Sequence, residues 1–322
     1  MGLGFSNRSF VTSAAGLLVA LMLVVSEARA DATSPWHGDY FPNVTLTDQD
    51  GTVVRFYDDM IKNKIVTINF IYTDCKDICP ADTAQMLRVQ ELLGDRVGRD
   101  VFMYSISIDP EHDTPEVLKK YMYTFGVKPG WRFLTGKKED ILLIQQKLAM
   151  RVVEPGKPKN HDTSVMVGNE KSAHWIKRSI YDDPVILANL LTDTLTNYKI
   201  NVAGTREGYS AAPQIKSKSR GDFLFKTRCT SCHTIGGGDR LGPDLQGVVA
   251  ARPRAWLSRW LKEPDKMIDE GDPVATELKA RYRNLPMPNF AFGDLEADAV
   301  IEYLTEQDAI LAAKRKAQEH KH

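Results

Sequence analysis

The chain has 322 residues, of which 43% are hydrophobic and 26% charged, enough apolar content for one large or, better, two modest globular domains with cores of their own. Lys plus Arg and Asp plus Glu both number 42, which excludes a global field that would attract nucleic acid or an anionic membrane. The 4 cysteines all fall in two short motifs, the usage of a chain that puts sulfur into bound groups and redox chemistry rather than structural disulfides.

The first thirty residues read as an export signal. Arg8 supplies positive charge, Val11 to Val25 form an apolar stretch, and Ala28-Arg29-Ala30 ahead of Asp31 is a small-x-small cleavage site. The expected cleavage follows Ala30. A retained anchor helix is the alternative, but an apolar run of about fifteen residues falls short of the ~20 needed to cross a bilayer. Either way, the remainder is expected in the periplasm, and a membrane is a partner only if the segment is retained.

From Asp39 the pattern becomes α/β. Asn43 to Gly51 reads as a short strand ending in an Asp-Gly turn, and Lys64 to Tyr72 as a buried central strand, being nearly continuous in β-branched and aromatic residues. Cys75 and Cys79 follow in Thr73-Asp74-Cys75-Lys76-Asp77-Ile78-Cys79-Pro80. A helix is predicted over 81–93 with Pro80 near its first turn. Cysteines at such a junction are expected to sit where the helix's partial positive charge favours thiolate.

A second strand, Val101 to Ile108, leads to Asp109-Pro110-Glu111-His112-Asp113-Thr114-Pro115, in which Thr114 is the expected N-cap of a helix reaching Phe125. Further strands are predicted over 131–135, 163–167 and 175–180. Helices are predicted over 138–150 and 184–197. Strands alternating with helices of this length argue for a layered, thioredoxin-like α/β domain.

Three separated motifs then carry a family resemblance: Phe70 to Cys75 with Cys79-Pro80, Asp109 to Leu118, and Trp131-Arg132-Phe133-Leu134-Thr135-Gly136. In this order they resemble the Sco/SenC family of copper-binding, thioredoxin-like assembly factors, from roughly Asp39 to Asn197. The resemblance implies a copper ion held by Cys75, Cys79 and a distal histidine, His161 in Asn160-His161-Asp162-Thr163-Ser164. Many relatives have Asp just before that histidine; here Asp162 follows it. Two thiolates and an imidazole are the soft and borderline donors that copper selects, and three of them suit Cu(I). The same cysteines can form a disulfide, so metal binding and thiol oxidation compete. His37, His112 and His174 read as solvated or packing residues, and His320 and His322 as part of a charged tail with no preorganised geometry.

Residues 201–220 are poor in apolar side chains and rich in Gly, Ser, Ala and Lys, as a flexible linker is. Beyond it lies Cys229-Thr230-Ser231-Cys232-His233, around which the rest of the chain is organised. Two thiols three positions apart can each add to one vinyl group of a haem, and the adjacent imidazole can ligate its iron. A structural zinc site would need a second Cys or His pair at tetrahedral spacing, and the only other cysteines are more than a hundred residues away.

The segment 221–322 resembles a monohaem class I cytochrome c. Gly221 and Phe225 match the small and aromatic residues of that family's first helix, which packs on the last helix near Tyr303. Leu241-Gly242-Pro243-Asp244-Leu245 matches the loop whose proline carbonyl accepts the proximal histidine's N–H, so the resemblance gives Pro243 that role toward His233. Met287, in Leu285-Pro286-Met287-Pro288, matches the distal iron ligand, with Met267 as its rival. Helices are predicted over 254–261, 277–282 and 295–307.

The expectation is thus an exported two-domain metalloprotein. Residues 1–30 are the signal, 31–200 the Sco-type α/β thioredoxin-like domain, 201–220 the linker and 221–322 an all-α cytochrome c domain with one covalent haem c. The resemblance implies a metallochaperone and electron-transfer protein delivering copper to a respiratory oxidase subunit or another periplasmic copper enzyme, with an electron-transfer partner and no nucleic acid. If it is an enzyme, it is a thiol–disulfide oxidoreductase acting through Cys75 and Cys79.

Overall fold

The computed structural model describes residues 38–75, 79–152, 163–196 and 218–320, together with Met1. The expected signal, His37, His161, His322 and linker residues 201–217 lie outside the described residues. Among the described residues no helix is long and apolar enough to cross a membrane.

The β-branched run becomes strand β3 (Ile65–Ile71), with β1 (Thr45–Asp48) and β2 (Val53–Arg55) before it and β4 (Val101–Ser107), β5 (Trp131–Gly136), β6 (Ser164–Asn169) and β7 (His174–Ser179) after it. They form one seven-stranded sheet of order β2-β1-β5-β4-β3-β6-β7. β3, β4 and β5 run parallel, while β1 and β6 join their neighbours antiparallel. Six of the seven residues of β3 are buried, which is why this strand reads as a continuous apolar run. Its period of two sends Val66, Ile68 and Phe70 to one face, with Tyr104 and Ile106 of β4, and Ile71 to the other, with Met103 and Val101.

Helices α1 (Cys79–Leu93), α2 (Pro115–Phe125), α3 (Lys138–Lys147) and α4 (Pro184–Asn189) cover the sheet. α2 has the boundaries its sequence dictates: Thr114 Oγ1 accepts the Val117 N–H at 3.4 Å, Pro115 opens the helix, and Gly126 ends it in the left-handed region at φ 70°. α3 stops three residues early, and α4 passes at Leu190 into a π-turn that runs to Thr194, so both predicted helices were too long. β2 was not predicted; three residues are too few to show an alternation.

The second half is helical: α5 (Arg220–Leu224) continues as a π-turn through Phe225–Cys229, followed by α6 (Val248–Ala251), α7 (Arg254–Lys262), α8 (Pro264–Asp269), α9 (Pro273–Arg281) and α10 (Asp294–Glu319). Phe225, Leu257, Leu261, Ala297, Val300, Ile301 and Leu304 are its core. α5 meets α10 so closely that a Cβ on Gly221 would come 2.1 Å from the Ala299 carbonyl oxygen and 2.7 Å from Tyr303 Cβ. The Phe225 and Tyr303 rings lie 5.3 Å apart in the same contact. α10 runs twelve residues past the predicted end at 307, so the charged tail is helical up to Glu319.

Candidate metal centres

Cys75 follows the carboxyl end of β3, where a ligand site of a parallel sheet is normally built. The loop that carries it is held from the side: Asp113, buried, accepts the Thr73 N–H at 3.2 and 3.3 Å and the hydroxyls of Thr73 and Ser107. Burial raises the Asp113 carboxyl, and these hydrogen bonds pull it back. The motif was visible in the sequence, but this role of Asp113 was not, because its partners lie 40 residues back and on β4.

Cys79 is the first residue of α1, and its N–H points at Cys75 Sγ, 3.4 Å away. Both thiols are buried and belong to the core cluster on one face of the sheet. In the fold without a metal, burial pushes the Cys79 thiol well above the usual range, and Cys75 and Asp82 push the same way, against the thiolate expected from the helix start alone. Tyr121 reaches into the same place, its hydroxyl 2.9 Å from Thr83 Oγ1 and 3.4 Å from the Cys79 carbonyl oxygen. Among the described residues no group of three or more His, Cys, Asp or Glu side chains is placed to hold a metal. The third donor named from the sequence, His161, lies outside them. His112 is exposed on Asp109, 2.9 Å away, and His174 opens β7.

The second centre is a cavity of about 330 Å³ walled largely by apolar side chains. Cys229 comes to it from the π-turn after α5, Cys232 and His233 from the next turn, Met287 from the segment between α9 and α10, and Leu257, Ile301 and Leu304 from α7 and α10. The π-turn matters locally, since the Thr230 N–H reaches back to the Phe225 carbonyl at 3.1 Å and the Cys232 and His233 N–H groups both reach the Cys229 carbonyl. His233 Nδ1 lies 2.8 Å from the Pro243 carbonyl oxygen. That oxygen can only accept, so Nδ1 carries the hydrogen and Nε2 is left as the donor atom. Burial lowers the His233 pKa, against a smaller opposing effect of Pro243, and the imidazole is held neutral.

Gly242 fits this loop because a Cβ there would meet His233 Cε1 at 2.5 Å. Asp244 fastens the loop: it accepts the N–H groups of Gly236, Gly238 and Gln246 at 2.6 to 2.8 Å, and the Thr234 hydroxyl at 3.1 Å. Burial by itself would raise its carboxyl, but these donors hold it at about 2. Sequence reasoning missed this role, whose only signal is an Asp placed after Gly-Pro in a loop with three glycines before it. Burial also raises the Cys229 thiol to about 12 and the Cys232 thiol to about 11. Met267 is buried in α8 and does not line the cavity, whereas Met287 does.

The residues suit a haem. Two thiols, an imidazole donor atom and a thioether face one apolar cavity, whose wall leaves no room for a side chain at position 242.

Comparison with known proteins agrees with the two halves. The SCO1/SenC family model matches residues 34–174, and the Cytochrome c family model matches residues 219–308. The chain is 32% identical to the SCO1 protein homolog of Bacillus subtilis over 43% of this chain and 76% of that one. It is 30% identical to Protein SenC of Rhodobacter capsulatus over 42% of this chain and 66% of that one. A crystal structure of a SCO1/SenC family lipoprotein from Bacillus anthracis is similar at 27% identity, with a TM-score of 0.42, over 48% of this chain and 92% of that chain. The chain therefore belongs to the SCO1/SenC family of copper-binding assembly proteins and carries a cytochrome c domain after it.

Proposed function

We propose that this protein is an exported, periplasmic copper assembly factor whose copper and thiol chemistry is joined to a resident electron carrier. The observation that carries the reading is that one chain holds two buried sulfur centres of different kinds. The pair Cys75 and Cys79 lies just past the carboxyl end of β3 in the parallel part of the sheet, and Cys229, Cys232, His233 and Met287 converge on one apolar cavity.

Copper is the cargo. Cys75 and Cys79 supply two thiolate donors and His161 the third, a set that suits Cu(I). Their thiols must be reduced and deprotonated to bind it, and burial of Cys79 makes the proton costly to lose without the metal, which couples loading to proton release. The acceptor is a copper-binding subunit of a respiratory oxidase or another periplasmic copper enzyme. At the second centre, a haem bound through Cys229 and Cys232 would supply a one-electron redox group. His233 presents Nε2 because Pro243 holds Nδ1–H, Met287 faces the same cavity, and the apolar wall excludes water.

A haem-linked thiol–disulfide oxidoreductase is the second reading. It is favoured by the Cys79 N–H to Cys75 Sγ contact, which keeps the sulfur of one cysteine within a helical turn of the other. Metal content and the visible spectrum of the exported protein separate the two. Expected are one haem and one copper per chain, and a drop in copper affinity of about 100-fold for His161→Ala with the haem spectrum intact. Copper binding indifferent to His161→Ala overturns copper delivery and leaves the oxidoreductase.

A further inference from the structure

The linker expectation leaves the two domains free of a fixed interface, yet the described residues pack one against the other. Arg228, the residue before the first haem-motif cysteine, lays its guanidinium 3.8 Å from the centre of the Tyr181 ring, which sits between β7 and α4. Among the described residues its Nη1 is buried with no hydrogen-bond partner, so the face of the ring is the contact that receives the cation. Burial raises the Tyr181 hydroxyl, and after burial the largest influence on it is Asp82 of α1, three residues after Cys79.

At the other end of α1, Glu91 takes Arg240 at 3.0 Å and holds Arg88 as well. Beside Arg240, Leu241 does two things: it lines the haem cavity, and it packs on the core cluster of the thioredoxin-like domain that contains Met86 and Val89 of α1. From the segment that carries Met287, Arg283 Nη1 comes within 3.0 Å of where a Cβ on Gly126 would stand, at the end of α2. Three arginines from the turns around the haem cavity thus meet the thioredoxin-like domain, at Tyr181, at Glu91 of α1 and at the end of α2, and one of them, Arg240, has an acidic group opposite.

Resting on the proposed copper and electron-carrier function, we propose that this contact is a built docking interface. In it Arg228, Arg240 and Leu241 are positioning residues that hold the haem cavity against the helix starting at Cys79. The path it completes is short in residues: Cys79, α1 as far as Gln85, whose Nε2 donates to the Asp182 carbonyl oxygen at 3.1 Å, the Tyr181 side chain next to it, Arg228, and the peptide bond to Cys229. With copper held by Cys75 and Cys79 and a haem held by Cys229, Cys232 and His233, this contact would let one electron pass from Cu(I) to ferric iron, giving Cu(II) and ferrous iron with no bond made or broken and no proton moved. Because the attraction is between charged groups near the surface, docking weakens as salt shortens the screening length from about 10 Å at 0.1 M to about 3 Å at 1 M. The domains can then part to present copper to an acceptor.

The test uses the full-length, haem-loaded chain and a charge swap across α1. Glu91→Arg, which touches neither the haem nor the copper residues, is expected to raise amide hydrogen exchange in residues 79–93 about 10-fold at low salt. It is also expected to slow copper-to-haem electron exchange, followed after a rapid flash oxidation, by about 10-fold. Adding Arg240→Glu should restore both to within about 2-fold, a rescue that a merely structural role of Glu91 would not give. Tyr181→Leu should slow electron exchange at an unchanged haem spectrum. If exchange protection of 79–93 is the same in wild type, Glu91→Arg and the double swap, the docking interface is refuted. If protection follows the swap but no electron passes between copper and haem in wild type, the interface stands and the electron-coupled function fails.

Discussion

The two sulfur centres start from nearly the same material, a cysteine pair spaced by about one helical turn, and the fold uses them in opposite ways. Cys79 begins a helix and Cys75 precedes it, so both sulfurs are core atoms of a sheet face, and the proposed third donor, His161, would come from a separate loop. Cys229 ends a helical turn and Cys232 lies in the next one, so both open onto a cavity walled by α6, α7, α9, α10 and the loops before α6 and after α9. A site completed by an independent loop can gain and lose its metal. One enclosed on all sides by a domain's core keeps what it holds.

The comparison breaks most sharply if cysteines are removed in pairs. Cys229→Ser with Cys232→Ser should abolish covalent haem, read by haem stain on a denaturing gel, and unfold much of α5 to α10, since the cavity is the centre of that core. Cys75→Ser with Cys79→Ser should leave haem attachment unchanged. Haem lost in the second variant and kept in the first would reverse the assignment.

Next in size is the pair of methionines. Met287→Ala should remove the thioether-to-iron charge-transfer band of the ferric protein and lower its potential, at small cost in stability, because Met287 is only partly buried. Met267→Ala should keep the band and cost about 2–5 kcal/mol, the usual loss for a large buried side chain. The opposite pattern in the visible spectrum would make Met267 the ligand.

A smaller effect is expected at the crossing of α5 and α10. Gly221→Ala would place a Cβ 2.1 Å from a backbone oxygen, and backbone cannot rotate away, so the helices must part at about 1–3 kcal/mol. Thermal unfolding of the haem domain is the measurement; an unchanged midpoint would mean that the crossing is looser than its geometry.

What the sequence made legible follows from how local each signal is. The ends of α2 were readable because Thr114, Pro115 and Gly126 act within a turn of themselves. β3 was readable because both faces are buried. α10 was cut short because its fully buried positions end at Leu304; beyond that the helix is at most partly buried and its burial signal is weak. The haem-motif cysteines and His233 were legible from spacing, but Asp113 and Asp244 were not, since each acts by gathering donors from a folded loop. For Cys79 a helix start says nothing about burial, and it is burial that raises this thiol in the metal-free fold.

Asp244 gives the smallest effect and the finest test of how the haem loop is held. Its folded-state pKa, about 2, lies below the ordinary value of 3.8, so the charged form is favoured in the fold. Stability from this group is fully present above about pH 4 and is lost as pH falls toward about 2. The whole shift would be worth about 2 kcal/mol, and partial exposure to solvent reduces it to about 1 kcal/mol. Asp244→Asn keeps the shape but accepts through a single oxygen, so it should be less stable than wild type at neutral pH. The gap between the two proteins should close between about pH 4 and 2. Comparing the two proteins cancels every titrating group they share. A gap that stays constant down to about pH 2 would show that the N–H groups of Gly236, Gly238 and Gln246 hold the loop without needing the charge.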